Sequence, residues 1–347
     1  MPTSSFDTFF ACTIIVAAAL IGTAFLGSTM QTRIASTQDI NKDSYLKAIA
    51  DRIVTNPGSP TDWGTKSALP VDFGLASKYS YNPYELDMDK ICRLNKLNNY
   101  SLSYPELSIA SKLNNLALGI RVSQLISVNI QQTSNFTEGG VTSFSFTVST
   151  SIDSKPTSTN LHSYVAADTY LTEINSTIPD IGVGNVTIQI PTAKTNIAIL
   201  IIFARSSTDD RLTSYAIYNF AHSTQESTPI STDLALSPLD YTLSLNDSSP
   251  GLTVQDKYVF SYSNQQTISS NTSSQTPFPK LIDKSPIVLV VCCLNGTDQF
   301  QEWTAYPQVP IRIGANFEGS EQNIFSYIVS VNDVLYRLDL SLGDLPN

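Results

Sequence analysis

Ala198–Asp209 reads AILIIFARSSTD and Ile287–Asp298 reads IVLVVCCLNGTD. Each segment carries an uninterrupted apolar run, Ile197–Phe203 and Ile287–Val291, rich in β-branched residues and short. Runs of about four to eight such residues, bounded by turn signals, read as central strands buried on both faces. The two segments align without gaps and both lead into a polar turn ending in Thr-Asp, which points to duplication of one strand-rich unit. Around them the period is two. Phe144, Phe146 and Val148 alternate with Ser and Thr, as do Val186, Ile188 and Ile190, then Tyr241, Leu243 and Leu245 around polar neighbours. Alternation of this kind puts one face of a strand on a core and the other in water. Strands at short intervals with turn signals between them predict β-sandwich-like, immunoglobulin-like units from residue 121 onward. A polar linker in the region His222–Asp233, containing STQESTP, divides them into 121–225 and 226–347.

The other end of the chain has a different texture. Thr8 to Thr32 contains no charged side chain, and Phe9–Leu26 (FFACTIIVAAALIGTAFL) is almost wholly apolar. A bilayer-spanning helix needs about 20 such residues, so 1–33 reads as an uncleaved transmembrane anchor. A cleaved leader would carry a basic n-region, and MPTSSFDTFF has none. Helical spacing continues through Tyr45, Leu46, Ile49, Ile53 and Val54, predicting a stalk helix over 34–56 that stops at Asn56-Pro57-Gly58-Ser59-Pro60. Residues 57–120 read as a small helical and irregular connector. Within it Asp87 or Asp89 caps a helix carrying Ile91, Leu94 and Leu97, and a second short helix opens at Pro105. The expected fold is therefore mainly β: an N-terminal transmembrane and stalk helix, a helical connector and two tandem sandwiches.

Composition bears on surroundings. Charged residues make up 14% of the chain, against about 25% in typical globular domains, and Ser, Thr and Asn take their place. The net charge of −10 argues against a nucleic-acid partner. Basic residues follow the span (Arg33, Lys42, Lys47) rather than precede it, which by charge counting puts the bulk of the chain inside. The Ser/Thr/Asn-rich composition argues the opposite, a chain held at the cell membrane by one span with its bulk outside. Seven N-x-S/T sequons begin at Asn99, Asn135, Asn175, Asn185, Asn246, Asn271 and Asn295. They are candidate glycosylation sites, though a chain this rich in Asn, Ser and Thr generates such triplets by chance. Apart from Cys12, the cysteines are Cys92, Cys292 and Cys293. Neighbours on a strand point to opposite faces, so one of the pair could bridge to Cys92, or all three could be small buried apolar residues.

Signals for chemistry are few. His162 and His222 are the two histidines and neither sits in a motif. There is no G-x-S-x-G elbow, no phosphate-binding glycine loop and no Cys/His zinc spacing. The acidic pairs Asp87/Asp89 and Asp209/Asp210 fit a helix cap and a polar turn as well as they fit calcium. Glu302, Glu318 and Glu321 could serve a glycosidase only if folding made them converge. Tyr79, Tyr81 and Tyr84, with Trp63, Trp303 and Tyr306, could offer a glycan or protein surface, or could simply pack. No cofactor, metal or catalytic residue is implied.

Taken in order, SFDT before the apolar helix, ADRIVTNPGSPTDWG, DFGLAS, YELDMDKICRL and FQEWTAYPQVPIRIGANFEG resemble a group of archaeal membrane-anchored surface proteins. Those proteins have a type IV pilin-like N-terminal helix and extracellular β-domains. The resemblance implies an envelope location and a helix of the kind that packs at the core of a filament. The chain departs from that pattern in having Asp7 and no Lys or Arg before the helix. Three functional expectations stand together. The first is a non-enzymatic, single-pass structural or adhesion protein whose partners are the bilayer, through the N-terminal helix, and other envelope proteins or copies of itself. The second is a subunit assembling into a filament through that helix, and the third an envelope module that binds or hydrolyses glycans.

Overall fold

The computed structural model describes residues 3–65, 69–79, 82–113, 115–167, 170–194, 197–222, 234–247, 252–268, 274–280, 283–295, 298–317 and 322–344. Side chains of 3–8, 11, 27, 29, 31–41, 247, 295, 298 and 299 lie outside that description. Two units separate, 1–51 and Arg52–Asn347.

Helix α1 (Thr3–Thr55) covers both the expected anchor and the stalk. It ends where the sequence said it should, ahead of Pro57. The transmembrane reading is overturned: no helix among the described residues is long and apolar enough to cross a membrane. The single-pass membrane location falls with it.

The connector holds a 3-10 turn at Trp63–Thr65, strand β1 (Glu85–Leu86), helix α2 (Met88–Cys92) and helix α3 (Tyr104–Ser111). Both helices are shorter than the sequence pattern suggested. Asp87 is the N-cap of α2, its carboxylate accepting from the N–H groups of Asp89 and Lys90. Ser103 and Glu106 form a capping box on α3, with Pro105 in its first turn. Strand β2 (Leu116–Gln124) follows.

The next eight strands are β3 (Ser127–Glu138), β4 (Val141–Ile152), β5 (Lys155–Pro156), β6 (Thr159–Ala167), β7 (Tyr170–Ile178), β8 (Val183–Pro191), β9 (Ile197–Ser206) and β10 (Thr213–Ala221). They form one sheet in which β4 lies between β3 and β8, with β5 at one end, and a second in the order β10-β9-β6-β7. Phe144, Phe146, Val148, Val186, Ile188 and Ile190 from the first sheet meet Leu161, Val165, Leu200 and Ile202 from the second in one core. After the linker, whose residues 223–233 lie outside the described set, come β11 (Leu234–Leu239), β12 (Thr242–Asp247), β13 (Leu252–Phe260), β14 (Gln265–Ile268), β15 (Gln275–Pro277), β16 (Ile287–Asn295) and β17 (Asp298–Tyr306). Their sheets run β11-β12-β15 and β14-β13-β16-β17. Leaving aside the two-residue β5, the second set repeats the first strand for strand, with β9 answering to β16 and β6 to β13. The duplication read from two twelve-residue segments thus extends to the strand order of both units.

The repeat also explains why β9 and β16 are apolar throughout. Both belong to antiparallel sheets, which ordinarily wet one face. Here Ala198, Leu200, Ile202 and Ala204 face their own sandwich core, while Ile199, Ile201 and Phe203 pack with Tyr258, Phe260, Val288 and Val290. The sheet containing β9 therefore lies on the sheet containing β16, and four sheets stack. Inner strands of such a stack have no wet face, so neither can alternate.

The C-terminal strands β18 (Ile311–Gly314), β19 (Gln322–Val331) and β20 (Val334–Asp344) leave the second sandwich altogether. They join β2 and β1 in a sheet ordered β1-β19-β20-β2-β18. Leu118, Ile120 and Val122 of β2 and Leu338, Leu340 and Leu342 of β20 bury one face of it.

Candidate functional site

Residues of the four segments that follow α1's apolar stretch meet in a buried hub. Trp63 is fully buried and its Nε1 donates to the Gly74 carbonyl at 3.0 Å. A side chain at Gly74 would collide with the Asn56 carbonyl, so the DFGLAS segment passes there only as glycine. Lys90 Nζ donates to the carbonyls of Pro57 and Ala76, both at 2.8 Å. Burial holds this ammonium down to about 8, against the pull of Asp87 and Asp62. Arg93 donates to the carbonyls of Trp63 and Tyr100. Asp89 accepts from the Tyr306 hydroxyl at 2.6 Å and the Asp240 N–H at 2.9 Å, tying the connector to the second sandwich. Burial pushes its carboxyl up and these two donors pull it down. The acidic pair Asp87/Asp89 therefore has structural work, and Asp209 is engaged by Arg211 at 2.9 Å.

Other candidates scatter. His162 stacks on Tyr164 at 4.6 Å and approaches Glu173 at 3.6 Å, whereas His222 is buried against Phe144. Trp303 is 37% exposed and meets Tyr215 edge to face at 6.5 Å, and Tyr79 is exposed. Tyr81, Glu318 and Glu321 lie outside the described residues. Cys92, Cys292 and Cys293 are buried free thiols, and Cys12 is an exposed one. As the alternation required, Cys293 faces the second sandwich core, which also contains Cys92, while Cys292 faces the stack interface. Asn99, Asn135, Asn175, Asn185 and Asn246 are exposed. Asn271 lies outside the described residues and Asn295 sits at the end of β16.

Two surfaces stand out among the described residues. On α1, Phe9, Phe10, Ile14, Ile15, Val16, Leu20, Ile21, Phe25 and Leu26 are all more than half exposed. They surround the helix rather than striping it. The second surface is a trough of about 580 Å³ on the five-stranded sheet. It was not legible in the sequence. Gly119-Ile120-Arg121 of β2 pairs antiparallel with Arg312-Ile313-Gly314 of β18, so arginine faces arginine and glycine faces glycine. Asp339 lies opposite Arg121 on the other flank and accepts from Ser326 Oγ at 2.7 Å. Ser341 lies opposite Gly119, and Asn316, Phe317 and Gln322 complete the wall. Gly314 has φ of 121° and approaches the Leu118 carbonyl too closely for a Cβ. At Gly119 the Phe317 ring and the Ser341 side chain close over the backbone.

No family model matches the chain, and no curated protein matches it by sequence. Among solved structures it is similar to HBP35 of Porphyromonas gingivalis, at 13% identity and a TM-score of 0.18, over 54% of this chain and 64% of that one. It is also similar to human GIVD cytosolic phospholipase A2, at 12% identity and a TM-score of 0.16, over 67% of this chain and 33% of that one. The chain thus spans less than two thirds of either, and likenesses this slight carry no functional argument.

Proposed function

We propose that this protein is a non-enzymatic structural subunit that self-assembles through α1, with its stacked β-domains as the body presented by the assembly. The observation that supports this reading is the girdle of nine large apolar side chains between Phe9 and Leu26, each more than half exposed. A helix apolar all round is stable only when covered, and copies of the same helix supply a cover of matching length and shape. Burying each such side chain contributes about 1.5–3 kcal/mol. A pair of helices covers one side of each, equivalent to about nine full burials and so at least about 13 kcal/mol. Lost translational and rotational freedom costs about 4–15 kcal/mol. Burial thus matches or exceeds that cost, and a dimer still leaves apolar surface in water, which favours bundles of more than two. This is the packing that the resemblance to pilin-like proteins implies.

The test is sedimentation of the intact chain beside a version lacking Met1–Thr32. The intact chain is expected to form large species that dissociate in mild detergent, and the shortened chain to sediment as a monomer. A monomeric intact chain in detergent-free buffer would sink the proposal.

A further inference from the structure

The trough on the five-stranded sheet is a feature that assembly through α1 does not use. Of the eight arginines in the chain, Arg52 pairs with Asp72, Arg211 with Asp209 and Arg337 with Asp153. Arg93 donates to carbonyls, Arg205 lies over the Tyr262 ring and donates to the Lys284 carbonyl, and the side chain of Arg33 is outside the described residues. That leaves Arg121 and Arg312. Among the described residues neither side chain has a hydrogen-bond or ion-pair partner, and both are exposed. They stand directly opposite each other across β2 and β18. Side chains so placed have Cβ atoms about 4.5–5.5 Å apart, and like charges there repel. Two guanidinium forks side by side, next to a glycine pair against which Phe317 and Ser341 pack, form a ready receptor for an oxyanion, which each can grip with paired N–H donors.

What else the ligand carries is indicated by the neighbours. The row across the sheet reads Arg312, Arg121, Asp339, Ser326, so the field changes sign within one strand spacing of the arginine pair. A dianion such as phosphate gains from the arginines but is opposed by Asp339. A ligand with one acid group and hydroxyls beyond it gains from both, because a carboxylate accepts hydrogen bonds from hydroxyls. Ser341, Asn316 and Gln322 line the same wall with groups that donate and accept, and Phe317 and Ile324 offer apolar surface. Past Asp339 the trough continues along Ser326, Tyr327, Ile328 and Arg337 for about 390 Å³ more. We infer that this trough binds a carboxylated sugar, its carboxylate held by Arg121 and Arg312 and its hydroxyls directed to Asp339 and Ser341.

The experiment is calorimetric titration of the intact protein with glucuronic acid, with glucose, inorganic phosphate and glycine as separate arms. Saturable binding of glucuronic acid is expected, with glucose at least tenfold weaker. Arg121→Gln and Arg312→Gln should each weaken glucuronic acid at least tenfold while leaving the thermal midpoint of the unliganded protein unchanged or higher, since each removes a repulsion. Asp339→Asn separates the readings: it should weaken glucuronic acid and strengthen phosphate. Phosphate or glycine binding more tightly than glucuronic acid would overturn the sugar assignment. So would Asp339→Asn tightening both anions. No binding in any arm, or glucuronic acid binding that survives both arginine changes, would overturn the site itself.

Discussion

Replacing Tyr306 by Phe removes a single oxygen from the junction between connector and second sandwich. The hydroxyl donates to Asp89 at 2.6 Å, and Asp89 is only 8% exposed. The ring itself stays packed, with Phe278 at 5.5 Å and Tyr241 at 5.2 Å, so little cavity opens. What is lost is a hydrogen bond to a charged group, worth about 1.5–3 kcal/mol. At an m-value of about 3 kcal/mol per molar urea, the unfolding midpoint at pH 7 should fall by about 0.5–1 M. The pH dependence is the sharper test. Burial raises the Asp89 carboxyl above its ordinary value, while Tyr306 and the Asp240 N–H pull it back. The raised folded value means that the native chain takes up this proton before the unfolded chain does as pH falls. The lost hydroxyl matters most to the carboxylate, so the penalty should shrink between pH 7 and pH 4. In an Asp89→Asn background most of it should vanish, a coupling of about 0.5–3 kcal/mol. A penalty under about 0.5 kcal/mol at pH 7, or one identical at both pH values, would refute the assignment of Asp89 as a buried carboxylate dependent on Tyr306.

Lys90 gives the opposite slope. Its ammonium is held down to about 8 by burial whereas the unfolded chain keeps the proton to about 10.4, so stability should rise with pH by about 2 kcal/mol between pH 8 and 9.5. Denaturation across that window should show the rise in the native protein and none in Lys90→Met; a flat native curve would rule it out. Phe203→Ala empties part of the interface between the two inner sheets and should cost about 3–5 kcal/mol, read from chemical unfolding. A loss under about 1 kcal/mol would mean that the sandwiches do not depend on that contact. Cys92, Cys292 and Cys293 should stay unreactive to a thiol reagent until the protein is unfolded, and reducing and non-reducing peptide maps should agree. A bridged peptide containing Cys92 would contradict the free thiols.

Much of the β architecture was written locally. Alternation placed Phe144, Phe146 and Val148 on a core face, and the adjacent Cys292 and Cys293 duly separate into different clusters. Asn56-Pro57 stopped α1 because proline cannot continue a helix. The shortened α2 illustrates where local reading fails. Leu94 and Leu97 keep helical spacing from Ile91, but the chain turns away after Cys92 because Arg93 is drawn to the carbonyls of Trp63 and Tyr100. Spacing cannot report a bond to a residue thirty positions upstream. The transmembrane reading rested on the composition of one segment, and no helix among the described residues is long and apolar enough to cross a membrane.

The C-terminal strands show the same limit at larger scale. Nothing within Ile311–Asp344 says that these strands return to β2 rather than extend the second sandwich, because pairing partners far apart in sequence leave no periodic trace. Yet one trace was present in retrospect. GIR at 119–121 and RIG at 312–314 are mirror images, and antiparallel pairing superposes mirror images residue on residue. A lone arginine in an apolar strand is ordinarily a solvated edge charge. Two of them, each two residues from a glycine and in opposite orders, become a site only when the topology brings their strands together. The chemistry at Arg121 and Arg312 thus belongs to the register of β2 on β18. A change that slips this pairing by one residue, keeping both arginines, should abolish anion binding as fully as removing either, because a one-residue slip turns one guanidinium to the opposite face of the sheet.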